Sequence, residues 1–203
     1  MPPVSAETVP TGNTYDKYAT RNPIERRLMA GFLRELDKAL PVGGVRRVLE
    51  VGTGEGHIAA RIRARYPYAD VIGLDLPDDE LGGQWRNDGL AGVFGSADRL
   101  PFPDLSFDLV MGIEMLEHVA APEVVVREIA RVSKQHVVLT VPWEPWWRVA
   151  NMARGKYIRQ FGNTPGHVQH WGRRSFAELV GCDLTVNSVA GAFPWTLVAA
   201  SRR

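Results

Sequence analysis

The sequence predicts an α/β protein: a mostly parallel sheet with helices on both faces and an antiparallel pair of strands at its end. Three observations carry this. Apolar runs at residues 48–51, 71–74, 107–112 and 136–141 alternate with stretches of helical periodicity, the order that a parallel sheet with crossover helices requires. The first run ends in an acid and enters a three-glycine turn, Glu50-Val51-Gly52-Thr53-Gly54-Glu55-Gly56. The last two runs, Leu184-Thr185-Val186 and residues 195–200, are joined by a link too short for a crossover helix, so they pair antiparallel.

Composition narrows the class. The chain has 203 residues, 45% hydrophobic and 23% charged, which suits one domain with a sizeable core. Its net charge of +1 lacks the basic footprint of a nucleic-acid binder. The single cysteine, Cys182, forms no internal disulfide and fits a reducing compartment. No apolar stretch approaches the ~18 residues of a membrane span, and residues 1–13 carry no signal-peptide pattern. The expectation is a cytoplasmic protein of one domain over residues 1–203, acting on a small molecule, with its oligomeric state open.

Taken in order, residues 1–14 are rich in proline and small polar groups, followed by the aromatic lead-in that contains Tyr15 and Tyr18. Asn22-Pro23 is a helix start: a capping side chain, then proline at the first helical position. Ile24, Leu28, Phe32, Leu36 and Leu40 recur every four residues, an amphipathic helix that Pro41 and Gly43-Gly44 end. Residues 1–45 thus form a lead-in and a helix that covers the sheet. After the first strand and glycine turn, a helix over 57–66 stops at Pro67. Residues 71–75 are a second strand ending in Asp75, and 77–92 a long connection with a short helix near 80–85.

The glycine turn points to a nucleotide-type ligand. Glycine lets the backbone lie against a ligand, and the following helix start offers free N–H groups and a positive end. A dinucleotide site wants G-x-G-x-x-G. Here the spacing is G-x-G-x-G, and His57 occupies the third-glycine position. Glu50-x-Gly52-x-Gly54-x-Gly56 resembles the first motif of class I S-adenosylmethionine-dependent methyltransferases. A second stretch strengthens the likeness. Residues 95–110, running through Ser96-Ala97-Asp98-Arg99-Leu100-Pro101-Phe102-Pro103-Asp104 to Ser106-Phe107-Asp108-Leu109-Val110, are similar to G-D-A-x-x-L-P-F-P-D-x-S-F-D-x-V of the small-molecule, type 11-like members.

The resemblance covers residues ~48–142 by motif and the ends by architecture. It implies a Rossmann-like three-layer sandwich with a seven-stranded sheet in the order 3-2-1-4-5-7-6, strand 7 antiparallel. It implies S-adenosyl-L-methionine as cofactor and S-adenosyl-L-homocysteine as product. The cofactor residues it implies are Glu50, Gly52, Thr53, Gly54 and Gly56 in the turn. Asp75 with Leu76 follows for the ribose, and Ser96, Ala97 and Asp98 lie beside the adenine. Ile113, Glu114 and His118 follow the fourth strand, and Tyr18 comes from the lead-in. Relatives usually carry Asp where this chain has Ser96, so the adenine contact rests on Ser96, on the Ala97 backbone or on Asp98.

Glu114-Met115-Leu116-Glu117-His118 resembles the family's segment after strand 4, and some members hold a metal on E-x-x-E-H. The reading adopted is metal-free. Pro122 opens a helix with Val125, Ile129 and Val132 on one face and Arg127, Glu128 and Arg131 as a solvated face. Residues 143–172 break the strand–helix pattern with Trp143, Trp146, Trp147 and Trp171 among Arg and Lys. An insertion at this place commonly caps the substrate in relatives, and such a mixture suits a flat or sugar-like ligand, an anion or a membrane surface. Ser175-Phe176-Ala177-Glu178 reads as a capping box that opens the last helix.

The implied reaction is methyl transfer to a small-molecule acceptor. Histidines favour a hydroxyl, because a hydroxyl needs a base, and the candidates are His118, His167 and His170. The implied acceptors are sugars, lipid-linked compounds, quinone precursors or secondary metabolites, with N- and C-methylation open. Two other readings stand: a cofactor-binding protein without catalysis, and an NAD-dependent oxidoreductase. The missing third glycine and the terminal antiparallel pair disfavour the latter.

Overall fold

The computed structural model describes residues 20, 22–144, 146–153 and 168–203. Strands β1 (Arg47–Val51), β2 (Asp70–Asp75), β3 (Ala91–Phe94), β4 (Phe107–Ile113), β5 (Ser133–Pro142), β6 (Leu184–Ala192) and β7 (Trp195–Arg202) form one sheet. Its order is β3-β2-β1-β4-β5-β7-β6. Pairs from β3 to β5 are parallel, whereas β7 runs antiparallel to both β5 and β6. The register sets Pro142 opposite Trp195. The turn between β6 and β7 therefore lies at the same end of the sheet as the carboxyl end of β5.

Helices α1 (Pro23–Ala39), α2 (His57–Arg65) and α3 (Asp79–Asp88) cover one face. Their buried side chains, among them Phe32, Leu36, Ile62 and Trp85, pack with Leu197 and Val48 of the sheet. Helices α4 (Pro122–Val132) and α6 (Arg173–Val180) cover the other face through Val125, Ile129, Phe176 and Val180. Each fully buried Leu, Ile or Phe contributes about 1.5–3 kcal/mol by leaving water. Helix α5 (Trp146–Ala153) follows β5.

The amino ends of β1 and β4 are tied by one carboxylate. Asp108 accepts from the N–H groups of Arg46 and Arg47, both at 2.9 Å. Those bonds and Lys134 hold its carboxyl below the usual range, against the opposing effect of burial.

Several sequence expectations are corrected. Asn22 caps α1 as expected, accepting from Ile24 N–H at 2.9 Å, but Ile24 is 68% exposed. It sits in the first turn, ahead of the sheet, and the buried stripe begins at Met29. The helix in the 77–92 connection is longer than residues 80–85, capped by Asp78 on the N–H groups of Glu80 and Leu81. Strand β6 runs on to Ala192 across a bulge between Val186 and Ser188. Helix α6 starts at Arg173, ahead of the expected box. Ser175 is its third residue and accepts from Gly172 N–H at 3.1 Å, while Glu178 pairs with Arg174 on the surface.

The charges of α4 are not merely a solvated face. Arg131 donates to the carbonyls of Leu100 (3.0 Å) and Phe102 (2.8 Å) and to Asp104 (2.8 Å). Glu128 accepts from Leu100 N–H at 2.8 Å and from Arg131, which lowers its pKa. Together they clasp the loop between β3 and β4.

Candidate functional site

The carboxyl ends of β1, β2 and β4 meet at the glycine turn. Gly52 and Thr53 donate their N–H groups to Leu74 O at 2.8 and 3.1 Å. Gly54 donates to Asp75 Oδ2 at 2.7 Å, and Leu76 donates to Asp75 Oδ1 at 2.8 Å. The Trp85 indole supports the turn from α3, donating to Gly54 O at 2.8 Å. Gly52 has φ +72°, and a Cβ there would stand 2.6 Å from the Cβ of Met115. Only glycine fits both that dihedral and that approach. The glycine turn thus packs directly on the segment that follows β4.

Acids gather at this edge. Glu50 is 2% exposed and accepts from Thr53 Oγ1 at 2.8 Å. Burial pushes its carboxyl up to about 8, against the Thr53 hydrogen bond. Burial also raises Asp75, while the Gly54 and Leu76 amides oppose the shift. An ionised carboxylate has roughly four acceptor sites. Two of those on Asp75 are taken by backbone N–H groups, so acceptor capacity for a vicinal diol remains.

After β4 the chain turns sharply at Glu114, whose φ is +53°. Its N–H donates to Thr140 O at 3.1 Å, and its carboxylate accepts from the Trp195 indole of β7. A 3-10 turn, Leu116–His118, follows. Glu117 is 2% exposed within it, and His118 is half-buried. Among the described residues no group of three or more His, Cys, Asp or Glu side chains is placed to hold a metal ion.

The ends of the 143–172 insertion close on each other and on this turn. Trp143 and Trp171 form a parallel bridge, and Glu144 N–H donates to Trp171 O at 3.0 Å. Val168 and Gln169 donate their N–H groups to Glu117 O at 2.9 and 3.2 Å. This brings His170 beside Glu144, with Nδ1 3.6 Å from Oε1. Both Glu144 carboxylate oxygens are buried, and the Arg148 backbone N–H and the His170 imidazole face the group. Burial raises the Glu144 pKa, and the charges of His170 and Arg148 work against that rise. The imidazole itself is more than a third exposed.

The tryptophans of the insertion largely serve packing. Trp143 faces Phe193 and stacks under the Arg173 guanidinium at 3.9 Å. Trp147 packs on Trp195 and Trp171 on Phe176. Trp146 is left 47% exposed.

With this geometry in hand, comparison with known proteins is decisive for the central stretch. Residues 49–141 match the family described as "Methyltransferase domain". Residues 49–141 belong to the class I S-adenosylmethionine-dependent methyltransferases. The fatty-acid O-methyltransferase of Mycolicibacterium smegmatis is 39% identical over 92 residues, 44% of this chain and 34% of that protein. YcgJ of Bacillus subtilis, an uncharacterized methyltransferase, is 38% identical over 96 residues, 44% of this chain and 37% of its own. The matches therefore span about a third of the length of these curated relatives. As a structure, YcgJ superimposes with a TM-score of 0.66 at 19% identity, covering 86% of this chain and 99% of that one. The magnesium protoporphyrin IX methyltransferase of Synechocystis, solved with bound S-adenosylhomocysteine, gives 0.66 at 13% identity, covering 91% and 89%.

Within this methyltransferase fold, Glu50, Gly52, Thr53, Gly54, Gly56, Asp75, Leu76, Ile113, Glu114 and His118 all fall at the carboxyl ends of β1, β2 and β4. The Leu76 N–H is engaged by Asp75. Ser96, Ala97 and Asp98 lie just past β3, where Gly95 N–H donates to Asp75 O at 2.9 Å, with Ser96 and Asp98 exposed. Tyr18 and His167 lie outside the described residues. Sequence reasoning missed Met115, Trp85, Trp195 and Glu144. Only Glu144 carried a signal, as the first acid after β5.

Proposed function

We propose that this protein transfers a methyl group from S-adenosyl-L-methionine to a hydroxyl of a small-molecule acceptor. The observation that carries the cofactor assignment is the joined cradle of Gly54 and Asp75, closed over by Met115 against Gly52. It supplies a glycine-lined turn and a carboxylate with spare acceptor capacity for a ribose diol. The chemistry of the donor set fits the group. Gly52, Gly54, Gly56, Glu50, Ile113 and Glu114 would hold the methionine part, Asp75 the ribose, and Ser96, Ala97 or Asp98 the adenine. Tyr18 stays a candidate to close over it.

When bound, the cofactor supplies an activated methyl group, so the protein's task is to align the acceptor and exclude water. His170 is the base we favour over His118 and His167. Its Nδ1 faces Glu144, which leaves Nε2 for the acceptor proton. Glu144 balances the charge that His170 gains. The insertion over 143–172 caps the acceptor, and the protein acts as one domain in the cytoplasm; no helix among its described residues is long and apolar enough to cross a membrane.

The test is product analysis with methyl-labelled cofactor and a panel of carboxylic acids, phenols, sugars and amines. The reading expects an O-methyl product that His170→Ala suppresses. Exclusive N- or C-methylation would contradict the acceptor class.

A further inference from the structure

Helix α1 carries a largely exposed face beside its buried stripe, with Leu28 at the boundary packed against the core. Pro23, Ile24, Arg27, Leu28, Gly31, Arg34 and Glu35 line one wall of an open groove, and Gly191, Ala192 and Phe193 of the β6–β7 turn line the other. The groove has a volume of about 560 Å³, within the range of sites that hold a small organic ligand.

Its surface is mixed in a particular way. Leu28 is half-buried, whereas Ile24 and Phe193 are 68% and 46% exposed. Gly31 leaves open space on the helix: a Cβ there would meet only Arg34 Nη2, at 3.9 Å. The Arg34 guanidinium therefore already folds over the gap. Across the groove, Arg173 lies against Gly191, so close that a Cβ there would stand 2.0 Å from Nη2. Among the described residues, Arg27, Arg34 and Arg173 have no carboxylate within ion-pair distance. The one acid of the groove, Glu35, is taken by Lys38 at 2.8 Å. Arg173 is held over the Trp143 ring, so the cationic charge without an internal partner beside exposed apolar surface is that of Arg27 and Arg34.

The groove adjoins the candidate site. Phe32, one helical turn beyond Leu28, packs on Trp195 with ring centroids 5.0 Å apart. The Trp195 indole in turn donates to Glu114 after β4.

We propose that this groove binds the distal end of an amphipathic acid, a molecule with a carboxylate or phosphate head on an apolar body. The head sits on Arg27 and Arg34, where charge-assisted hydrogen bonds are strongest. The apolar part lies against Ile24, Leu28, Ala192 and Phe193. That this molecule is the methyl acceptor rests on the methyltransferase reading; the binding itself does not.

The probe is dodecyl phosphate below its micelle concentration, titrated into the full chain, with dodecanol and inorganic phosphate as controls. The proposal expects dodecyl phosphate to bind more tightly than either control. It expects Arg27→Gln and Arg34→Gln each to weaken that binding about tenfold, the loss of one charge-assisted contact. Both arginines are exposed, so the variants keep the fold, and S-adenosylhomocysteine affinity should be unchanged in them. Equal binding of dodecanol, or no effect of either substitution, overturns the groove. Binding to phosphatidylglycerol vesicles without binding to the monomeric probe overturns it in favour of a membrane surface. Failure of wild-type protein to bind S-adenosylhomocysteine would sink the methyltransferase reading alone and leave the groove result standing.

Discussion

Nδ1 of His170 stands 3.6 Å from Oε1 of Glu144, an ion-pair distance rather than a hydrogen bond. The two residues are far apart in sequence and meet because the 143–172 insertion closes at the Trp143–Trp171 bridge. A buried carboxylate is costly unless nearby charge or hydrogen bonding compensates it. His170 is placed to do so together with Arg148. If the pair is the base, His170→Ala should lower turnover with a hydroxyl acceptor by roughly 10²–10⁴-fold. Added imidazole should restore part of it, and Glu144→Gln should act mainly on kcat. Wild-type kinetics in either variant would remove the pair from the mechanism.

Gly52 is the position least able to accept a side chain. Its φ is +72° and the Met115 Cβ lies 2.6 Å from the site of a new Cβ. Gly52→Val should destabilise the protein by about 2 kcal/mol or more. It should also abolish S-adenosylhomocysteine binding, read by calorimetry on the folded fraction. Unchanged affinity would show that the ligand does not touch this turn.

Glu50 makes stability depend on pH in a defined direction. Its carboxyl is pushed up to about 8 from an ordinary value of 4.5, so between these pH values the folded state binds a proton that the unfolded state has lost. Its contribution is therefore fully present below about pH 4.5 and is lost as pH rises through about 8. Glu50→Gln keeps the shape and removes the titration. The variant should gain stability over the parent progressively from pH 5 to 8, reaching roughly 2–4 kcal/mol. Urea midpoints across that range test this; a constant difference would contradict it.

Arg131 ties α4 to the loop between β3 and β4 through two carbonyls and the Asp104 carboxylate, and it pairs with Glu128 on its own helix. A lysine cannot reproduce that fork. Arg131→Lys should cost about 1–3 kcal/mol and speed hydrogen exchange at Leu100, whose N–H is held by Glu128. Unaltered exchange would mean that the loop is held by its prolines alone.

The sheet was legible because its signals are local. Two apolar strands end in acids at Glu50 and Asp75, and the short link before Trp195 leaves no room for a crossover. The glycine spacing was legible for the same reason. What escaped depends on contacts between distant segments. Met115 on Gly52 and Trp85 on Gly54 join residues 63 and 31 apart, and no periodicity records such approaches. Strand β6 was read short because an edge strand needs only one apolar face and a bulge at residues 186–188 breaks its alternation. Ser175 misplaced the start of α6 because a hydroxyl at the third helical position makes the same kind of bond as one at the cap. Arg131 and Glu128 looked solvated because their partners are mostly backbone groups of another loop.

The most direct measurement is calorimetric titration of the full chain with S-adenosylhomocysteine, with NAD as the control. The account predicts micromolar binding of S-adenosylhomocysteine, none of NAD, and loss of the former in Gly52→Val. Binding of NAD alone, or of neither, would contradict the assignment of the Gly54–Asp75 cradle.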